Sequence, residues 1–270
     1  MDNKINRNSE EVKISNLTGM GLFKSIFYFG IPALILVLSY HVFRPWLLIN
    51  KFSDLESFLI SLGLPLMVMF FSALFFYRFI EKRPFNIRKF SIRMRFPPIH
   101  WKDFAWGIVI FIVGFLGYGL MSLLTSYIIS NGIIPLPEKI AIMDNPNASL
   151  TVQLLNIAAG GQIQGKWYIV LIFTFVLFFN IVGEELWWRG IILPRQEVSL
   201  KKKAWIVNGT FWAFFHIFKY WEIINLLPFC LSNAFIAQKR HNNWSPLIAH
   251  LLMNISGYIF VLVAVAGWIK

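Results

Sequence analysis

The sequence predicts an all-α polytopic membrane protein, a helical bundle with about seven to eight transmembrane helices. Hydrophobic residues make up 57% of the 270 residues and charged residues only 14%, and the mean hydropathy is +0.62. A typical soluble domain has about 45–50% apolar and about 25% charged residues. The apolar residues also form runs long enough to cross a hydrocarbon core of about 30 Å. Composition and run length together predict the fold class.

The formal net charge of +12 is distributed in a way that is typical of membrane topology. Lys and Arg lie in segments between the apolar runs, where they set the orientation of the helices. A nucleic-acid-binding protein would need a basic face on a soluble domain, so the lipid bilayer is a predicted partner and nucleic acid is not. The single cysteine, Cys230, excludes an intramolecular disulfide.

The chain is predicted to form a short tail followed by one membrane domain. Residues 1–21 are polar and mixed in charge, which favours a cytoplasmic tail that could be partly disordered. Residues 22–270 form the membrane domain. Its first apolar run is too long for a signal-peptide core and has no small-residue cleavage site after it, so it is predicted to remain as an anchor. The seven predicted spans are 22–43, 58–80, 104–129, 167–190, 204–218, 221–237 and 246–269.

Two features of the later spans refine this architecture. The fifth and sixth spans are near the lower length limit for crossing a membrane, and the link between them, Lys219 and Tyr220, is very short. We therefore predict a tight helical hairpin. The long segment 130–166 leaves room for an eighth, shorter element, such as an interfacial helix around 150–159. No internal repeat indicates the paired halves of many transporters.

Orientation is predicted from Lys and Arg in alternate segments. The segment 78–102 has eight Lys or Arg residues against one acid, and 195–203 and 238–241 are also basic. These segments and the N-terminus are predicted to be cytoplasmic. The chain is rich in Lys, Asn, Ile and Phe, which favours an AT-rich bacterial genome and hence a bacterial plasma membrane. The alternate segments, poorer in Lys and Arg, are 44–56, 130–166 and 219–222.

Charged residues end the strongly apolar run 167–179. An ionisable group facing hydrocarbon costs at least a few kcal/mol, so such residues usually face a bundle interior or a cavity and mark function. On a helix, Glu185 and Arg189 are i, i+4 neighbours that can pair, whereas Glu184 points to another face. We predict that Glu185 and Arg189 form a structural pair and that Glu184 is free for chemistry.

Two other predicted spans carry polar stripes. His216 shares a face with Trp212, and His250 shares a face with Asn254, each pair at i, i+4 spacing. Each residue alone is also explained as a hydrogen-bonding contact between helices. Together with Glu184, these residues supply a base, proton carriers and hydrogen-bond donors, which are the groups that hydrolysis needs. Glu184 and His250 are predicted near the cytoplasmic side.

The depth of His216 fits this set less well. If its helix begins at Ala204, His216 lies about 18 Å from that start, near or beyond the middle of the membrane. A later start or a tilted helix would bring it closer to the other polar residues. The sequence does not choose between these alternatives.

The three motifs, taken in order, resemble those of the CAAX protease and bacteriocin-processing family of intramembrane endopeptidases, also called the CPBP or Abi family. The resemblance covers roughly residues 165–256. Trp212 stands where the family usually has Phe, a change that keeps a large aromatic ring. The motif residues are Glu184, Glu185 and Arg189, then Trp212 and His216, then His250 and Asn254.

This resemblance implies a bundle of about eight membrane helices, with the site in a cavity open toward the cytoplasm and the membrane. It implies cleavage near the C-terminus of prenylated proteins in eukaryotic members, and peptide maturation, immunity or signalling in bacterial members. For this chain we expect an intramembrane endopeptidase that cuts a membrane-associated peptide or protein. The protease core would occupy residues 165–256.

Two chemistries remain open for such a site. In the first, which needs no cofactor, Glu184 and His216 activate a water that attacks the scissile carbonyl. His250 and Asn254 would donate hydrogen bonds to the oxyanion, and Glu185 with Arg189 would hold the helix and its charge balance. The second is metalloprotease chemistry, in which three side chains bind Zn²⁺ and leave a position for water. Those ligands would be Glu184, His216 and His250.

A non-catalytic interpretation is also open. The protein could be a membrane scaffold or a bacteriocin-immunity or regulatory protein, in which the polar residues only join helices. If it is an enzyme, an apolar substrate would enter laterally from lipid, past aromatic residues that could instead simply face lipid. Those residues are Trp187, Trp188, Trp212, Phe214 and Phe215.

Overall fold

A computed structural model of the chain describes residues 17–137, 140–146 and 148–269. The described residues form helices and connecting turns without any β-strand, so the predicted all-α class is confirmed. Most of the predicted tail, residues 1–16, lies outside the described ranges. Its last residues pack on the bundle, because Met20 is buried and its backbone N–H donates to the carbonyl of Arg195 at 2.9 Å.

Ten helices form the described bundle, joined by shorter helical turns. In chain order they are α1 Leu22–Ile49, α2 Asp54–Ile80, α3 Ile87–Arg93, α4 Trp101–Ser130, α5 Val152–Ala158, α6 Trp167–Phe178, α7 Leu193–Leu200, α8 Ala204–Phe215, α9 Ile223–Arg240 and α10 Trp244–Val265. Two π-helical turns, Phe179–Gly183 and Glu185–Ile192, lie between α6 and α7, and the 3₁₀ turn His216–Glu222 lies between α8 and α9.

Five helical segments of the described chain are long and apolar enough to cross a membrane. One of them, Trp167–Arg240, is 74 residues long and contains three of the predicted spans. Helical turns continue through its bends at Lys201, with φ 54°, and at Lys219, with φ −122° and ψ 58°. The protein is an integral membrane protein, and the count of seven to eight spans stays a prediction.

The helices α8 and α9 form the predicted hairpin. The side-chain carbonyl of Gln238 accepts a hydrogen bond from the backbone N–H of Trp205 at 2.8 Å. Nearer the turn, a Cβ atom added at Gly209 would lie 2.7 Å from the Cα atom of Leu231, so only glycine permits this close approach. The turn itself is His216–Glu222.

The basic segments predicted to share one side of the membrane contact one another. Glu81 binds Arg93 at 2.5 Å and Arg195 at 2.7 Å, and the carbonyl of Arg95 accepts from the backbone N–H of Asn243 at 2.8 Å. Burial opposes ionisation of Glu81, but the two guanidinium groups outweigh it and hold the pKa of this carboxyl below its ordinary value. Charge pairing joins the segments 78–102 and 195–203, and the backbone hydrogen bond joins 78–102 to 238–245.

The alternate segments also contact one another, at the other end of the bundle. Asp54 pairs with Arg44 and accepts from the backbone N–H of Ile142 at 2.9 Å. The ammonium of Lys219 lies 3.2 Å from Asp144. These contacts sort the connecting segments into the same two groups as the Lys and Arg counts.

The short helix predicted around 150–159 is present as α5. Its Leu155 and Ala158 are fully buried and lie in one apolar cluster with Leu55 and Leu59 of α2. The segment between α4 and α6 is therefore packed on the bundle rather than extended from it.

The Glu-Glu-x-x-x-Arg motif lies at the centre of the bundle. Every residue from 183 to 196 is buried. Helix α2 approaches it closely, because a Cβ atom added at Gly183 would lie 3.2 Å from the carbonyl oxygen of Leu66 and from the Cβ atom of Phe70. Because Gly183 has no side chain, α2 packs directly against the backbone next to Glu184.

Candidate active site

A cavity of about 290 Å³ lies among α2, α6, α8, α9 and α10. It is lined by four of the residues that the sequence predicts as catalytic: Glu184, His216, His250 and Asn254. Most of the remaining wall consists of apolar side chains. The fold therefore brings together polar groups from three separated motifs inside an apolar enclosure.

Glu184 lies between the two π-helical turns and is 2% exposed. Its Oε2 atom accepts hydrogen bonds from the indole N–H of Trp188 at 3.1 Å and from that of Trp212. Both donors bind the same oxygen, so Oε1 remains free of the indoles. Two charge-assisted hydrogen bonds satisfy the buried group and fix its orientation. π-helical turns are frequent at functional sites, in keeping with this position.

Trp212 makes one contact that the Phe usual in the resembled motif could not make. Its indole N–H donates to Glu184, and its ring centre lies 3.6 Å from the guanidinium carbon of Arg189. A Phe ring could stack on the cation but has no hydrogen-bond donor. The sequence interpretation missed Trp188 and Trp212 as ligands of the carboxylate. The available signal was their N–H groups, because a buried Trp usually finds an acceptor.

The predicted contact between Glu185 and Arg189 is present. Both residues are fully buried, and Oε1 of Glu185 lies 3.4 Å from Nη1 of Arg189. The same oxygen lies 3.1 Å from Nδ1 of His250, a contact that the sequence did not predict. Because a carboxylate only accepts, Nδ1 carries the proton. Glu185 therefore orients the imidazole of His250 and connects the ion pair to the cavity.

The guanidinium of Arg189 lacks hydrogen-bond acceptors among the residues that the structure describes. Its three nitrogen atoms are buried without a hydrogen-bond partner there. The charge is balanced instead by Glu185, and the face of Trp212 adds a cation–π contact. The buried charge of Arg189 is therefore stabilised by two neighbours, Glu185 and Trp212.

His216 follows the last residue of α8 and lines the same cavity as Glu184. Its Nδ1 atom lies 3.0 Å from the carbonyl oxygen of Trp212, so Nδ1 donates and Nε2 is available as a proton acceptor. Helix α8 begins at Ala204, so a later start does not explain this arrangement. Glu184 and His216 nevertheless line the same cavity, because this cavity extends along α8.

Asn254 lies one turn after His250 on α10. Its Nδ2 atom donates to the carbonyl of His250 at 3.0 Å, and the amide lines the cavity. One of the two amide hydrogens makes this bond, which leaves the second for another acceptor. His250 and Asn254 are thus adjacent donors on one wall.

The zinc alternative requires three ligands to converge on one point. Among the described residues, no three His, Cys, Asp or Glu side chains are placed to hold a metal ion. The Nδ1 atoms of His216 and His250 are directed at a carbonyl and at Glu185, and Oε2 of Glu184 is bound by two indoles. These contacts leave Nε2 of each histidine and Oε1 of Glu184 available, and a histidine that binds a metal usually donates its other ring N–H in this way, so the zinc alternative stays a prediction.

The aromatic residues near the site occupy different positions. Trp188 is fully buried and lies outside the wall of the cavity, whereas Trp212 and Phe215 line it. Phe214 is 51% exposed and is the member of the set that faces outward. Trp187 and Phe215 line a second, apolar cavity of about 390 Å³ between α1 and α2. Phe215 thus lies between this second cavity and the cavity that holds Glu184.

The segment that carries these motifs matches a known family. Residues 166–256 match the family described as type II CAAX prenyl endopeptidase Rce1-like. No curated protein and no solved structure matches the chain. The matched residues coincide with the segment of roughly 165–256 that carries the resemblance, which is therefore confirmed. The match covers 91 of the 270 residues, and over this segment the chain is similar to the Rce1-like, or CPBP, family of intramembrane endopeptidases.

Proposed function

We propose that the protein hydrolyses a peptide bond in a membrane-associated peptide or small protein. The family match supports a protease role. The observation that carries the proposal is the convergence of Glu184, His216, His250 and Asn254 on one largely apolar cavity. Such a cavity excludes most water while it keeps a base and hydrogen-bond donors together.

The proposed reaction begins with a water held between Glu184 and His216. Oε1 of Glu184 takes a proton from this water, and the resulting hydroxide forms a bond to the scissile carbonyl carbon. The proton then passes to the amide nitrogen, the C–N bond breaks, and an amine and a carboxylic acid leave. Nε2 of His216 is an acceptor that assists the first transfer.

The oxyanion is stabilised in this proposal by His250 and Asn254. The second amide hydrogen of Asn254 is one donor. Nδ1 of His250 already donates to Glu185, so a second bond from Nε2 needs the doubly protonated ring. Glu185 and the oxyanion together then balance the charges of this ring and of Arg189. Removing one oxyanion donor typically reduces kcat by about 10²–10³-fold.

The substrate is identified by comparing membrane peptides from cells that carry wild type or Glu184→Gln. We expect precursors that accumulate only in the variant and fragments found only in the wild type. Cells with Glu56→Gln are the matched control, because Gln retains the capping interaction that Glu56 makes with Ser53. Identical profiles for wild type and Glu184→Gln, with normal function in the variant, would support a non-catalytic scaffold.

We propose that the chemistry needs no metal. Purified protein is expected to keep full cleavage activity in a strong chelator and to contain no stoichiometric zinc by elemental analysis, because the proposed base is a carboxylate that acts on water directly. Loss of activity in the chelator, restored by Zn²⁺, would overturn this chemistry. It would indicate that Glu184, His216 and His250 rearrange into a ligand set.

We propose a cytoplasmic N-terminus in a bacterial plasma membrane, with the basic end of the bundle inside. A cysteine at position 202 in a Cys230→Ser background should resist an impermeant thiol reagent in intact cells, because the positive-inside rule retains Lys201–Lys203 in the cytoplasm. Lys202 is exposed, so labelling after permeabilisation is the internal control. Labelling of intact cells would reverse the orientation.

A further inference from the structure

Asn180 ends the apolar segment that leads to Glu184. It follows the run 167–179 and lies in the π-helical turn Phe179–Gly183. Its side chain is partly buried and lines the cavity that holds Glu184. Among the residues that the structure describes, none forms a hydrogen bond with its carboxamide. A polar side chain in a membrane span usually joins helices or marks function, and Asn180 makes no contact of the first kind there.

Two side-chain contacts, one on each side of Asn180, align its segment with helix α10. They join Thr174 to Tyr258 at 3.0 Å and Glu185 to His250 at 3.1 Å. Asn180 lies about midway between these contacts along its own segment, and Asn254 lies midway between them along α10. Both carboxamides line the cavity. The two amides therefore lie at the same level of the cavity, on two different helices.

A peptide that enters this cavity needs hydrogen-bonding partners for its backbone. Each peptide group has an N–H donor and a C=O acceptor, and either one left unpaired in apolar surroundings costs free energy. In the proposed reaction His250 and Asn254 bind the scissile carbonyl, which leaves the neighbouring peptide groups without a partner. An extended residue directs its N–H and its C=O to the same side, where one carboxamide can accept from the first and donate to the second.

We propose that the carboxamide of Asn180 binds the backbone of the substrate beside the scissile bond in this way. The inference rests on the proposed peptidase function and adds a binding contact to it. Because the contact uses backbone atoms, it is independent of the side chains of the substrate. It does require an extended conformation, since a helical residue already has both groups paired within its own helix. The substrate class is therefore a peptide that is extended where it passes Asn180.

Helix geometry limits which residue of the substrate Asn180 reaches. The backbone N–H of Glu184 donates to the carbonyl of Asn180, so the two residues are one turn apart. Four residues at about 1.5 Å each span about 6 Å, and an extended peptide covers this distance with about two residues. The segment continues from Glu184 to Arg195 at the basic end of the bundle. The bound residue should consequently lie within about two residues of the cut, on the side away from that end.

The test uses the full-length protein purified in detergent and the most rapidly cleaved member of a library of short N-acetylated peptides. In a set of analogues, each amide except the scissile one is replaced in turn by an ester, which removes one backbone N–H. We expect one ester within two residues of the cut to raise KM about tenfold, because the Oδ1 atom of Asn180 loses its donor. The kcat should stay within about twofold, since the contact binds substrate and transition state alike. Equal KM values for the whole set would overturn the contact, and this result needs no variant to fold.

Asn180→Leu then assigns the effect to this side chain. Leu has a similar volume and suits the apolar wall, and no hydrogen bond of the Asn180 carboxamide within the described residues is lost, so the variant should fold. It should raise KM for the all-amide peptide about tenfold, and the sensitive ester should have no further effect, as expected for two groups in contact. An ester effect that persists in Asn180→Leu would contradict the assignment.

Asn131→Leu is the matched control. Asn131 is exposed at the end of α4, where its amide donates to the carbonyl of Tyr127 at 2.8 Å. This variant makes the same chemical change outside the cavity, so it should keep the KM and the ester sensitivity of wild type. A KM raised equally in both variants would overturn the specific role of Asn180.

Failure of the proposed function looks different from failure of this contact. If wild type cleaves no peptide of the library faster than Glu184→Gln does, the peptidase proposal fails and the contact fails with it. If wild type cleaves and Glu184→Gln does not, but Asn180→Leu keeps the wild-type KM, only the contact is wrong. A lower kcat at unchanged KM in Asn180→Leu would also overturn it, because that result would indicate that Asn180 positions Glu184 instead.

Discussion

Glu184→Gln is expected to abolish cleavage, by about a thousandfold or more, while the yield of folded protein in detergent stays near that of wild type. The proposed base is lost because an amide does not take a proton from water at neutral pH. The fold should tolerate the change, since the Oε1 atom of Gln can accept both indole hydrogens that Glu184 accepts from Trp188 and Trp212. Activity and size-exclusion profiles measured on one preparation separate these two effects.

The control for this variant is Glu56→Gln, which makes the same chemical change outside the cavity. It should retain both activity and yield. An active Glu184→Gln protein would remove Glu184 from the mechanism. If Glu184→Gln fails to fold while Glu185→Gln gives a folded but inert enzyme, the roles of the two carboxylates are reversed.

Arg189→Gln and Glu185→Gln are expected to lower the yield of folded protein as well as activity. Each leaves a fully buried charge without its partner, at a cost of about 3–5 kcal/mol. For Glu185→Gln, the guanidinium of Arg189, whose three nitrogens already lack a hydrogen-bond acceptor among the described residues, would lose the carboxylate of its ion pair. Thermal unfolding in detergent measures the loss.

The double variant Glu185→Gln/Arg189→Gln tests the reason for this loss. It removes both charges together, so it should recover much of the stability that either single change loses. The amide carbonyl that replaces the carboxylate of Glu185 can still accept from His250. Arg83→Gln is the control, because Arg83 is partly exposed in its pair with Glu81, and pairs near the surface contribute about 0–1 kcal/mol. Equal losses for the single and double variants would contradict a charge-pair role.

Trp212 shows how a small departure from a family pattern can change a site. In the sequence alone, Trp in place of Phe keeps a large aromatic ring, and the change has no other visible consequence. In the folded protein the indole N–H binds Glu184 and the ring covers Arg189. One side chain therefore connects the free carboxylate to the structural ion pair, through contacts that a Phe ring could make only in part.

The sequence by itself determined the fold class of the protein and the candidate residues of its site. Apolar run length and low charge require helices in a bilayer, because an unpaired backbone cannot cross hydrocarbon. Charges inside such runs are costly, so Glu184, Glu185 and Arg189 stood out without any structure. The i, i+4 spacing also predicted the contact between Glu185 and Arg189, because that contact depends only on helix geometry within one segment.

Only the tertiary structure decided which groups from different helices meet. Helical spacing does not specify the packing of α8 and α10 against the Glu184 segment, so the contact of His250 with Glu185 and that of Trp212 with Glu184 were not predicted. The bend at Lys219 likewise brings Glu222 into the cavity, although the sequence predicts this residue in a surface loop. Such contacts arise from packing between distant segments, which local periodicity does not encode.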